Sequence, residues 1–267
     1  MIGINDYIRG QIHVVIDMRL ISNISASCYQ LFTNRGGYLF IFTFILSLCS
    51  CVTNRRAVIS DIGENESHRS LSRLTTNLID SLECYYGSTK VLLHEYKEPI
   101  LIALSYYPEL KETPIEFKYS REATTMAARP IYSSLLYGKR SYQVLINNDP
   151  DFKGIPLSAV PFNAQVGVIG HELAHIVEYE NRSLWGVMEL GCRYLNKHFK
   201  PHFERSTDKE TIVRGLGWQL YDWAKYSMYD NPYATEEYKQ FKRKTYMRPE
   251  EIKSYIHTLS TYAPYRK

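Results

Sequence analysis

Cysteine is scarce in this chain, and its placement excludes one class of metal protein. The five cysteines are Cys28, Cys49, Cys51, Cys84 and Cys192. No Cys-x-x-Cys pair exists among them, which argues against a cysteine-rich structural zinc site. A glycine-rich phosphate loop, an internal repeat and a low-complexity tract are missing as well. Charge of one sign is also lacking: 32 Lys and Arg face 28 Asp and Glu, for a net +4. That balance is too mild for a nucleic-acid partner, and no basic stripe concentrates it. The stretch KQFKRKTYMRPEE (239–251) is locally basic but short, and reads as a solvated helix face. The apolar run within YLFIFTFILSLCSC (38–51) is shorter than the roughly 20 residues that span a bilayer.

What the chain does contain is the pentapeptide His171-Glu172-Leu173-Ala174-His175. On a helix, residues at i and i+4 share a face, so His171 and His175 can direct both imidazoles at one metal ion. Glu172 stands beside them as a general base for a water activated by that metal. The surrounding VGVIGHELAHIVEY (166–179) is apolar, free of proline and long enough for a helix, with Pro161 suited to its first turn. Two histidines and a glutamate inside such a helix require partners, because unpaired buried polar groups are costly, and a metal provides one.

A catalytic zinc takes a third protein ligand and leaves one position open. The metzincin spacing fails, because Glu178 and Asn181 occupy the positions where that pattern places Gly and His. Downstream, Glu204 and Asp208 lie four residues apart and share a helix face. Glu204 offers a ligand, and Asp208 offers an acceptor for the outer nitrogen of a ligating histidine. Glu178, His198 and His202 are rival third ligands. The pair HELAH and ERSTD resembles the HExxH…ExxxD signature of the gluzincins, the thermolysin-like zinc metallopeptidases, over roughly residues 140–215. The resemblance implies one Zn2+ held by His171, His175 and Glu204, Glu172 as general base, Asp208 as the partner of a ligand, and a peptide or protein substrate. It also implies a Tyr or His that holds the developing negative charge. Tyr221, Tyr226, Tyr229, Tyr233 and His257 are available, and the sequence leaves the choice open.

The run at 38–51 fits the apolar core of a signal peptide and ends in Leu48-Cys49-Ser50-Cys51. This looks like a bacterial lipobox, with Cys51 as the lipidated residue because the small Ser50 precedes it. The likeness implies a chain anchored by lipid in a bacterial envelope, facing the periplasm or exterior. About 35 residues precede the run, a long stretch for such a segment. The division expected is an N-terminal extension and signal peptide at 1–51, a polar tether at 52–68 and one catalytic domain at 69–267.

Helical periodicity is read at 70–86, 92–107, 161–180, 183–199, 201–228, 233–244 and 248–259. Strands are read at 114–120 and 141–148, and 131–138 is ambiguous. The fold expected is α+β and zincin-like: a small, mostly antiparallel sheet packed on the HExxH helix, then a helical C-terminal part. The strand at 141–148 is the expected edge on which an extended peptide would pair. Two other functions fit the same residues: a catalytically inactive envelope binding protein, and a zinc hydrolase of a non-peptide amide such as cell-wall material.

Overall fold

The computed structural model describes residues 69–136 and 140–265. The expected extension and signal peptide, Cys51 and the tether at 52–68 all lie outside the described residues. No helix among those described is long and apolar enough to cross a membrane.

In chain order the elements are α1 (Thr76–Tyr86), β1 (Lys90–Val91), α2 (Lys97–Ser105), β2 (Ile115–Ser120), β3 (Met126–Pro130), α3 (Tyr132–Leu136) and β4 (Tyr142–Asn147). There follow α4 (Phe162–Glu180), α5 (Leu184–Tyr194), α6 (Phe199–Thr211), α7 (Gly217–Lys225), α8 (Glu236–Thr245) and α9 (Pro249–Thr258). The architecture is mixed α and β: one small sheet and a predominance of helix, as α+β patterning predicts.

The sheet departs from the expectation in strand direction. Its strands run β1-β2-β4-β3. The β1–β2 and β2–β4 pairs are parallel, and β3 is antiparallel to β4, so the sheet is not mostly antiparallel. The connection from β1 to β2 contains α2, and a crossover of that length permits parallel pairing. β4 is an interior strand with Tyr142, Val144, Leu145 and Ile146 all buried, so 141–148 is not the free edge. That edge is β3, whose sequence Met-Ala-Ala-Arg-Pro carries too little β-branched or aromatic content to read as a strand.

α4 is the central helix. It starts after Pro161, and every residue from Val166 to Val177 is buried. A helix apolar on all sides must be covered on all sides, and α2, β3, α6 and α7 do this. Two close approaches set its depth. A Cβ on Gly167 would lie 2.2 Å from the Gln219 carbonyl oxygen of α7, and one on Gly170 would lie 2.4 Å from Leu216 Cδ1. Tyr107, fully buried, donates its hydroxyl to the Gly170 carbonyl at 2.6 Å and fixes the helix just before the HELAH turn.

The expected helix at 201–228 is broken. α6 gives way to a π turn (Ile212–Leu216) in which Gly215 takes φ 108°, and α7 starts afresh at Gly217. A second π turn (Tyr226–Asp230) closes α7. The helix read at 70–86 begins only at Thr76, because the preceding backbone is drawn off by side chains: Leu71 N–H donates to Asn163 and Leu74 N–H to Glu98. Cys84 and Cys192 are exposed, on α1 and α5, and are not joined in a disulfide.

Candidate metal centre

The site is built from one stripe on each of two helices. α4 supplies His171, Glu172 and His175, and α6 supplies Glu204, Thr207 and Asp208, all buried. The buried residues of α6 are Phe203, Glu204, Thr207, Asp208 and Thr211, a helical stripe that lies on α4. Polar side chains occupy that stripe where apolar ones would ordinarily pack, so the burial itself calls for a partner.

The two histidines converge on one carboxylate oxygen. Glu204 Oε2 lies 3.0 Å from His171 Nε2 and 3.4 Å from His175 Nε2. The ligand atoms of His171, His175 and Glu204 all fall within 4.8 Å of one another, a group that can hold a metal ion. Ligands about 2.0–2.2 Å from a tetrahedral zinc stand roughly 3.3–3.6 Å from one another, close to the 3.0 and 3.4 Å from Glu204 Oε2 to the two imidazoles. The outer nitrogens face polar groups as well: His171 Nδ1 sits 2.9 Å from Asp208 Oδ1, an ion-pair contact outside hydrogen-bond geometry, and His175 Nδ1 sits 3.4 Å from Thr207 Oγ1. Tyr194 donates its hydroxyl to the other Glu204 oxygen. The imidazole rings stand nearly perpendicular, 4.8 Å between centroids, and His175 stacks on Phe203.

Electrostatics follow from this crowding. Burial works against a charge on His171, but Asp208 and Glu204 outweigh it and push the imidazole up to about 10. Burial would likewise raise the Glu204 carboxyl, yet His175 and His171 hold it well below its ordinary 4.5. Without metal, a proton is the cation that these carboxylates retain; a divalent ion could fill the same electrostatic role.

The Glu172 side chain is buried, yet Oε2 has no hydrogen-bond partner among the described residues. It lines a cleft of about 450 Å³ together with His175 and Glu204, walled by β3, by α5 through Val187 and Leu190, and by Tyr246. On β3 the ladder to β4 uses alternate residues: Asn147 N–H donates to the Thr125 carbonyl, and Ile131 N–H to that of Ser141. The alternation leaves the N–H groups of Met126 and Ala128 on the sheet's outer edge. The Ala128 carbonyl accepts from Tyr179 at 3.3 Å.

The rival third ligands stand elsewhere. His198 and His202 are exposed, and Glu178 pairs with Arg182 at 2.8 Å. Glu178 and His202 line a different pocket, one without His171, Glu172 or Glu204. The expected charge-stabilising residues also fall away. Tyr226 donates to the Ala159 carbonyl, Tyr221 lies beneath Arg69, His257 packs edge-on to Trp218, and Tyr229 and Tyr233 are exposed. None of these five lines the cleft. The tyrosines that line it instead are Tyr132, Tyr179, Tyr194 and Tyr246, with Lys242 behind Tyr246. Tyr179 stands one helical turn after His175, but no short-range spacing links Tyr194, Tyr246 or Lys242 to HELAH; the docking of α5 and α8 on α6 delivers these. The chain matches no family model, no curated protein and no solved structure.

Proposed function

We propose that this chain is a zinc-dependent metallopeptidase of the gluzincin type, held in a bacterial envelope by a lipid on Cys51. The observation that carries the reading is the convergence of His171 and His175 on Glu204 beside the unpartnered carboxylate oxygen of Glu172. Two histidines and a carboxylate on facing helices are a donor set suited to a catalytic zinc with one open position. When bound there, zinc supplies Lewis acidity, which makes water acidic near neutral pH and polarises a carbonyl.

The chain's own residues do the rest. Thr207 and Asp208 stand behind the two imidazoles, and Nε2 of each faces Glu204, where these three residues would hold the metal. Glu172 takes a proton from the attacking water as the C–O bond forms, and returns it to the amine as the C–N bond breaks. Tyr246 is the donor best placed to face the carbonyl oxygen: its ring is held at the site, 5.6 Å from His171, and its hydroxyl has no hydrogen-bond partner among the described residues. The outer edge of β3 offers N–H groups on which an extended peptide can pair as an added strand.

Metal analysis of the purified protein tests the centre. About one zinc per chain is expected, lost when His171 and His175 are both replaced by Ala. Glu172→Gln keeps the zinc and lowers hydrolysis of labelled casein by about 10²–10⁴-fold. Unchanged hydrolysis in that variant removes Glu172 as the base. Zinc without turnover of casein, followed by turnover of cell-wall material, would move the substrate to a non-peptide amide; turnover of neither would favour a binding protein. Cys51→Ala is expected to shift the protein from the membrane fraction to the soluble one.

A further inference from the structure

Lys242, on α8, is the one lysine buried among the described residues. A buried ammonium is costly unless something compensates it, yet no carboxylate of the described residues lies within 4 Å of its Nζ. Two aromatic faces do the work instead. Nζ sits 3.6 Å from the centroid of the Tyr246 ring and 5.1 Å from that of Trp223. Burial pushes the Lys242 ammonium down to about 8, against the opposing pull of Glu204, Asp208 and Glu172.

The surroundings tie this lysine to the metal centre. Lys242, Tyr246, Glu172, His171, Thr124 and Thr125 face a single cavity of about 10 Å³, about the volume that one water needs. Tyr246 spans from that cavity to the cleft. Its backbone is pinned on both sides: its N–H donates to the Lys242 carbonyl at 3.0 Å, and its own carbonyl accepts from Arg205 at 2.9 Å. The next N–H, that of Met247, donates to Asp208 Oδ2 at 2.8 Å, while the other Asp208 oxygen faces His171. With its backbone fixed and its hydroxyl without a partner among the described residues, the Tyr246 ring is held by edge contacts with His171 and Phe241 and, on its face, by the Lys242 ammonium.

We propose that Lys242 is a positioning residue of the active site, acting through Tyr246: its ammonium holds the ring in place and strengthens the hydroxyl as a hydrogen-bond donor toward the cleft. The inference rests on the zinc peptidase reading. A cation against a π face draws electron density from the ring, and a phenol so polarised donates more strongly to a developing negative charge.

The test compares wild type, K242M, K242R, Y246F and the K242M/Y246F double variant. Each is loaded with zinc and assayed for acetohydroxamate binding by calorimetry and for labelled-casein hydrolysis. K242M is expected to weaken acetohydroxamate binding and lower kcat by about tenfold each, with KM little changed. K242R, which keeps a cation on the ring, is expected to recover most of both. In the Y246F background K242M should add little, because the group it acts through is gone. An equal effect in both backgrounds overturns the inference, since it shows a charge acting on the site without Tyr246. A K242M variant that binds and turns over like a zinc-loaded wild type overturns it too, and leaves the zinc reading intact. A wild type that binds no zinc overturns both. Should K242M not fold, K242Q carries the same comparison.

Discussion

Asp208 uses both of its carboxylate oxygens, one facing His171 Nδ1 at 2.9 Å and one accepting from the Met247 N–H at 2.8 Å. One residue therefore faces a candidate metal ligand and fixes the backbone that carries Tyr246. Asp208→Asn retains an oxygen for one partner only, and presents an amide to the other. Zinc affinity is expected to fall about 10–100-fold in that variant, read by competition with a chromophoric chelator. Asp208→Ala leaves the Met247 N–H without its acceptor as well, and is expected to cost a further 1–3 kcal/mol or about that in urea unfolding. An Asp208→Asn protein that binds zinc like wild type would remove Asp208 from the metal centre. At this scale, HELAH and the Glu204/Asp208 pair are legible in the sequence because both rest on the i, i+4 repeat of a single helix. Tyr194 and Lys242 are not: each meets the site only through the packing of a separate helix, and neither stands at a spacing that distinguishes it from the chain's many other tyrosines and lysines.

At the scale of the element, the depth of α4 is set by what its glycines leave out. Gly167 meets the Gln219 backbone, which cannot swing aside as a side chain can. Gly167→Ala is expected to force α4 from α7 and to cost about 1–3 kcal/mol or more, seen as a lower urea midpoint with an unchanged slope. Gly215 marks the other constraint. Its φ of 108° turns the chain between α6 and α7, and a Cβ there would also meet the Tyr106 ring at 3.1 Å. Gly215→Ala is expected to cost about 1–2 kcal/mol. The break it makes was invisible to periodicity, because the apolar pattern of 201–228 runs through it without interruption. β3 was missed for the converse reason. Small residues suit an edge strand beside a cleft, where side chains must leave room, but small residues carry no strand signal. The strand with the clear signal, β4, has it because it is buried in the interior of the sheet, and so cannot be the edge that a substrate meets.

For the whole molecule, the charges that would bind a metal also contribute to folding. In the metal-free chain the raised His171 and the lowered Glu204 stabilise the fold jointly. The sign follows from each shift. A histidine raised from 6.5 to about 10 contributes its full stability below pH 6.5 and loses it as pH climbs toward 10. A carboxylate lowered from 4.5 contributes above pH 4.5 and loses its share as pH falls through its folded value. The metal-free protein therefore has its full internal pairing between pH 4.5 and 6.5, and weakens on the alkaline side. On the zinc reading, the ion must displace the His171 proton, so its affinity, and the stability it adds, would grow as pH rises through the same range. At a free zinc concentration of about 1,000 Kd the gain is about 4 kcal/mol. Thermal melts with zinc and with a chelator, run at about pH 6 and about pH 9, check this linkage. The zinc-dependent rise in Tm is expected to be larger at the higher pH, chiefly because the chelated protein melts earlier there. An increment that is equal at both values, or larger in acid, would mean that proton and zinc do not compete for His171, and would detach the buried cluster from metal binding.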